Sequence, residues 1–107
     1  MYTNEEALLY RKALRAWGMD LQMIILLEEM GELQQVVCKM RRGIVHGQDA
    51  LNDLAEEIAD VLIMLGQVMV AYDSDGLPAL VSDYKTSKVA RLKSRLEERS
   101  KNDNGSY

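Results

Sequence analysis

An all-α fold is predicted here, a bundle of four helices with two long antiparallel helices at its centre. Three features of the sequence predict it. Helix-favouring Leu, Met, Ala, Glu, Lys and Arg dominate, with no Phe and one Pro in 107 residues. Apolar residues recur at helical spacing through four segments. The breaks between those segments are short, which is how neighbouring helices of a bundle are joined.

Helix 1 is predicted to begin at Thr3, because Thr3 and Glu6 have the spacing of a capping box. Leu8, Leu9, Ala13 and Leu14 supply its apolar positions, and Trp17-Gly18 ends it. Helix 2 should run from about Asp20 to Arg42, followed by a loop marked by Gly43 and Gly47. Helix 3 is expected to start with Asp49 as N-cap and to continue to about Tyr72. Asp73-Ser74-Asp75-Gly76 is a turn, and Pro78 suits the first turn of helix 4. Helix 4 should fade near Arg99. Residues 1–99 then form one domain, and 100–107 a polar, disordered tail.

Composition narrows the function. Apolar residues make up 48% of the chain, which suits a packed domain. A formal charge of −4 speaks against a nucleic-acid partner. It leaves room for a small anionic substrate, because a bound cation inverts the local field. The longest apolar stretches are bounded by charges, so no membrane span is expected. The lone Cys38 and the polar, acidic start without a signal peptide point to a reducing, cytoplasmic setting.

Two segments repeat a pattern. Leu27-Glu28-Glu29-Met30-Gly31-Glu32-Leu33 and Ala55-Glu56-Glu57-Ile58-Ala59-Asp60-Val61 both read Glu-Glu-x-x-acid-apolar, each inside a long helix. Each residue advances about 100° around a helix. Taking Glu29 as zero, Ile25, Leu33, Val36 and Met40 all lie within roughly 40° of it. Taking Glu57 as zero, Val61, Met64 and Val68 do the same. Glu29 and Glu57 therefore sit inside apolar stripes, with Glu32 and Asp60 at the stripe edges. Glu28 and Glu56 point further out, and Asp53 lies near the edge.

An acidic pair spaced i,i+3 is usually part of a solvated helix face. Two such pairs in one register, both intruding on apolar stripes, are not explained that way. A buried carboxylate without a partner costs several kcal/mol or takes up a proton. A divalent cation resolves this, and hard oxygen ligands with no nearby His or Cys suit Mg²⁺ or Mn²⁺. The structural alternative is a buried salt bridge to Arg or Lys.

In these motifs the chain resembles the MazG-like, all-α nucleoside triphosphate pyrophosphohydrolases. The hallmark of that family is E-x-x-E on one helix and E-x-x-D on the next, here Glu29 to Glu32 and Glu57 to Asp60. The flanks are similar too, as are Trp17-Gly18 with Gln22 and the later Lys88-x-x-Arg91-Leu92, which are like those of small, phage-type members. The similarity covers roughly residues 8–96. It implies a Mg²⁺-dependent hydrolysis of an NTP or dNTP to the monophosphate and pyrophosphate, in the family's theme of nucleotide house-cleaning. It also implies a homodimer or a dimer of dimers.

On that basis Glu29, Glu32, Glu57 and Asp60 are expected to ligate metal and carry catalysis, with one of them, Glu28 or Glu56 orienting the attacking water. The resemblance points to Lys88 and Arg91 for phosphate binding. Periodicity points to Lys85 and Lys88, which lie within roughly 40° of Leu92 on the basic helix 4. Snorkelling of these stems over a core edge is the structural alternative. Trp17 could stack on a base or anchor packing, and Gln22 could read a base edge or cap locally. His46 is expected to be exposed, and Cys38 and the Met residues to fill core or interface. Gly31 and Ala59, opposite the acidic stripes, would admit a further helix, so the dimer interface is expected on helices 2 and 3.

Three other readings are distinguishable. A ferritin-like di-metal protein needs Glu-x-x-His pairs, and no His follows either motif. A non-catalytic helical module has no need of four acids. A phosphoribosyl-ATP pyrophosphohydrolase fits the Arg-Arg-Gly loop and the Trp-Gly-x-x-x-Gln segment less well.

Overall fold

A computed structural model describes the backbone of residues 1–105 and the side chains of residues 1–103. The fold is all-α, with four α-helices and no strand among the described residues. The chain divides into two compact units, 1–72 and 73–107. The first holds α1 (Asn4–Trp17), α2 (Met19–Arg41) and α3 (Gly47–Ala71). The second holds a 3-10 turn (Asp73–Asp75) and α4 (Leu77–Gly105). Among the described residues no helix is long and apolar enough to cross a membrane.

The capping box at the start of α1 forms as its spacing predicts. Thr3 N donates to Glu6 Oε1 at 2.9 Å, and Glu6 N donates to Thr3 Oγ1 at 3.0 Å. These bonds satisfy two groups at the helix start that would otherwise lack partners. Gly18 then separates α1 from α2 alone. Its φ of 85° lets the chain leave one helix and enter the next without a loop. Its N–H closes α1 on Leu14 O, and its carbonyl accepts from Gln22 N at 3.2 Å to open α2.

Two boundaries differ from expectation. Helix α3 begins at Gly47, two residues before Asp49, and its N-cap is His46, which makes no side-chain cap. Asp49 lies in the first turn instead, where its charge still favours the positive end of the helix. Helix α4 does not fade at Arg99 but continues to Gly105, so residues 100–105 of the expected tail are helical. An Arg99–Asp103 contact of 3.8 Å, one turn apart, supports that extension. Residues 106 and 107 of the same tail lie outside the described residues.

In the first unit α2 and α3 run antiparallel, with Gln22 opposite Gln67 and Glu29 opposite Asp60. Helix α1 packs mainly on α3. Its buried Ala7 and Tyr10 meet Val70, and Tyr2 meets the Tyr10 ring edge-on at 6.0 Å. Gly66 makes this contact possible. A Cβ there would lie 2.6 Å from Cε2 of the Tyr10 ring. Gly66→Ala should gain up to about 1 kcal/mol of helix propensity. It should lose about 1–3 kcal/mol to overpacking against a buried ring that has little room to move. The expected net result is a lower melting temperature, and a Tyr10→Ala background should remove the penalty.

Much apolar surface of α2 and α3 stays open. Ile24 and Leu27 are more than half exposed, and Ile58, Leu62 and Ile63 nearly so.

Candidate metal centre

The acidic motifs meet where the antiparallel pair α2 and α3 comes together. Each carboxylate arrives by helical register. Glu29 emerges between Ile25 and Leu33 on α2, and Glu57 emerges on the stripe of Val61 and Met64 on α3. Glu29, Glu57 and Asp60 are half-buried, and one oxygen from each lies within 4.8 Å of the others. Oε2 of Glu29 and Oε2 of Glu57 are shielded from solvent and have no hydrogen-bond partner. Glu32 is more exposed and stands outside the tight trio. Glu28, Glu56 and Asp53 are exposed, as their angular positions predict.

Electrostatics registers the crowding. Loss of hydration pushes the Glu29 carboxyl above its usual range, and the charges of Glu32, Asp60 and Glu57 push it further. Glu57 moves the same way, first by loss of hydration and then through Glu32 and Asp60. Glu32 is not one of that trio, yet it is the foremost charge acting on both glutamates. Among the described residues no lysine or arginine offsets either shift. A buried salt bridge therefore does not account for these acids. Oxygen donors crowded together, two of them unsatisfied, match what a hard divalent cation requires. Glu29, Glu57 and Asp60 are the residues placed to hold one, with Glu32 beside them.

The remaining candidates are distributed differently. Gln22 neither caps α2 nor faces solvent. It is 4% exposed, and its Nε2 donates to Gln67 Oε1 at 2.7 Å. Trp17 is 62% exposed, beside a cleft between α1 and α3. Lys85, Lys88 and Arg91 belong to the second unit, where all three are exposed on α4. Lys85 and Lys88 line an apolar groove with Val81 and Leu92, and Arg91 does not, which agrees with periodicity. His46 is exposed, as expected. Cys38 is exposed too and so fills no core.

Sequence reasoning missed Gln67. A polar residue inside the apolar run 61–70 was the available signal. No family model, curated protein or solved structure matches the chain.

Proposed function

We propose that this chain is a Mg²⁺-dependent nucleotide pyrophosphohydrolase of the MazG-like kind, cleaving an NTP or dNTP to the monophosphate and pyrophosphate. The observation that carries the proposal is the pair of glutamate oxygens, one on each facing helix, shielded from water and left without a partner. Evolution of a stable scaffold alone would not retain two such groups beside two further acids, since each costs free energy until a cation arrives.

Glu29, Glu57, Asp60 and Glu32 would hold Mg²⁺, with Mn²⁺ as a substitute. When bound, the metal neutralises phosphate charge and lowers the pKa of a coordinated water. The chain's own part is positional. The two long helices hold the acids in a fixed register, so little reorganisation is needed when a triphosphate enters. The apolar neighbours Ile25, Val61 and Met64 keep the local dielectric low, which strengthens every charge interaction there. A carboxylate at the rim of the cluster, Glu32 by its exposure, is suited to accept a proton from the attacking water.

The test is pyrophosphate release from a panel of ribo- and deoxynucleoside triphosphates, with Mg²⁺ and then Mn²⁺. Monophosphate and pyrophosphate in equal amounts are expected from at least one substrate. Release of single phosphates, or no release from any substrate, overturns the proposal and favours a non-catalytic helical module.

The same chain is proposed to work as a homodimer or a dimer of dimers. Gly31 on α2 has nothing within 4 Å of where a Cβ would stand, and Ala59 on α3 is exposed. Ile24 and Leu27, on that side of α2, and Ile63 on α3 are open as well. Sedimentation at micromolar concentration is expected to give at least twice the 12.1 kDa chain mass. A monomer under those conditions removes the assembly from the proposal.

A further inference from the structure

Gly31 stands in the middle of α2, where glycine is the least favourable residue after proline. Nothing inside the chain asks for it. Its backbone is helical, and the place where a Cβ would stand has no atom within 4 Å. The face around it is open. Ile24, Leu27 and Cys38 are exposed, and so are Asp20, Glu28, Gln34 and Arg42. A bare backbone on an exposed apolar face lets a second helix come close, to about 8 Å between axes.

The order of residues along this face is symmetric about Gly31. Each residue turns the helix by about 100°. Ile24 and Cys38 lie seven residues to either side of Gly31 and therefore about 20° from it. Asp20 and Arg42 lie eleven to either side, again about 20° from it. Arg42, the C-cap, still has right-handed backbone angles, so it continues the count. Glu28 and Gln34 lie three to either side, about 60° away.

A two-fold axis at Gly31 turns that symmetry into contacts with a second copy of α2. In the antiparallel sense, Asp20 of each copy faces Arg42 of the other, at both ends. The Gln34 amide comes opposite the Glu28 carboxylate and can donate to it. Ile24 comes opposite Cys38, a large apolar side chain against a small one. In the parallel sense every residue meets its own kind, so Asp20, Glu28 and Arg42 each face a like charge. Like charges juxtaposed across an interface are costly and opposite ones fix its register, so charge selects the antiparallel sense.

We propose that two copies of this chain pair through α2, antiparallel and crossing at Gly31, at the shallow angle of about 20° that keeps helices in contact over several turns. The inference rests on the assembly named in the proposed function for its partner, and on neither metal nor turnover.

Cross-linking reads the register. In this arrangement Cys38 is about 21 Å along the helix from its own mate and beside position 24 of the other copy. The parent chain, oxidised by air with copper–phenanthroline, should therefore form no covalent dimer. Ile24→Cys in a Cys38→Ser background should form none either. An equimolar mixture of the two, after subunit exchange, should give a disulfide-linked pair with one chain of each. Asp20→Arg and Arg42→Asp should each weaken association at least tenfold in sedimentation, and the double variant should restore it, which a local effect on helix ends would not do. Gly31→Leu adds a helix former where the chain leaves open space, so it should keep its helix content and sediment at the mass of one chain.

Self-linking of either single-cysteine chain, an unlinked mixture, an unrestored double variant or a dimeric Gly31→Leu overturns the pairing. A monomeric parent overturns it too, and if that monomer releases pyrophosphate the hydrolase reading survives. A mixture that links as described without pyrophosphate release leaves the pairing standing and removes the hydrolase reading.

Discussion

Glu57→Gln is expected to lower Mg²⁺-dependent pyrophosphate release by about a hundredfold or more, while the metal-free protein becomes no less stable than the parent. The two halves of this result have one cause. In the proposed active state Glu57 is one of the oxygen donors through which a cation neutralises phosphate charge, a contribution of several kcal/mol, and each ~1.4 kcal/mol is tenfold in rate. In the metal-free state the same carboxylate is a liability. Its Oε2 is shielded and unpartnered, and Glu32 and Asp60 press on it. Glutamine keeps the shape and removes the charge. Steady-state assays and thermal melts in chelator check both halves. A variant with parental activity would show that Glu57 takes no part in the chemistry. A variant that melts well below the parent in chelator would show that Glu57 has a structural partner after all.

Metal and pH should act on stability in opposite senses. Glu29 and Glu57 have folded-state pKa values above the ordinary glutamate value of about 4.5. The folded chain therefore binds protons at these sites more tightly than the unfolded chain does. Their contribution to stability is complete below the ordinary value and is lost as pH rises through the raised values. In chelator the melting temperature should accordingly climb as pH falls from neutral toward the ordinary glutamate value. Glu6, held below its usual range chiefly by its bond to the Thr3 backbone, works in the other direction, but only as pH drops through and below the ordinary range. Adding Mg²⁺ should raise the melting temperature most at pH 8 and least near the ordinary glutamate value, because cation and proton compete for the same oxygens. At a hundred times the dissociation constant the gain is about 2.7 kcal/mol. A chelator profile that is flat from pH 8 down to the ordinary glutamate value, or a Mg²⁺ effect that ignores pH, would mean that the two glutamates are not coupled as described.

The helices were largely legible before any coordinates. Thr3 and Glu6 announced the start of α1, and Gly18 its end. Angular position put Glu29 and Glu57 inside apolar stripes and sent Glu28 and Glu56 outward, and all four behave so. On α4 the same argument separated Lys85 and Lys88 from Arg91. Boundaries were less legible. His46 opens α3 without a side-chain cap, so the strongest capping residue nearby, Asp49, misled by two positions. The length of α4 depended on polar residues beyond Arg99 that have no apolar rhythm to mark them.

Periodicity is a property of one helix at a time, and everything it assigns follows from φ/ψ regularity and the order of side chains. Which residues face each other across two helices depends on relative translation and rotation, and no residue's own neighbours in the chain encode these. Hence the oxygens of Glu29, Glu57 and Asp60 could be expected to converge, but their 4.8 Å grouping and unsatisfied state emerged only when α2 packed on α3. The Gln22–Gln67 bond spans 45 residues of sequence, and the need for glycine at 66 comes from a tyrosine on another helix. Such contacts belong to packing, where a shift of one turn in either helix would have paired different residues.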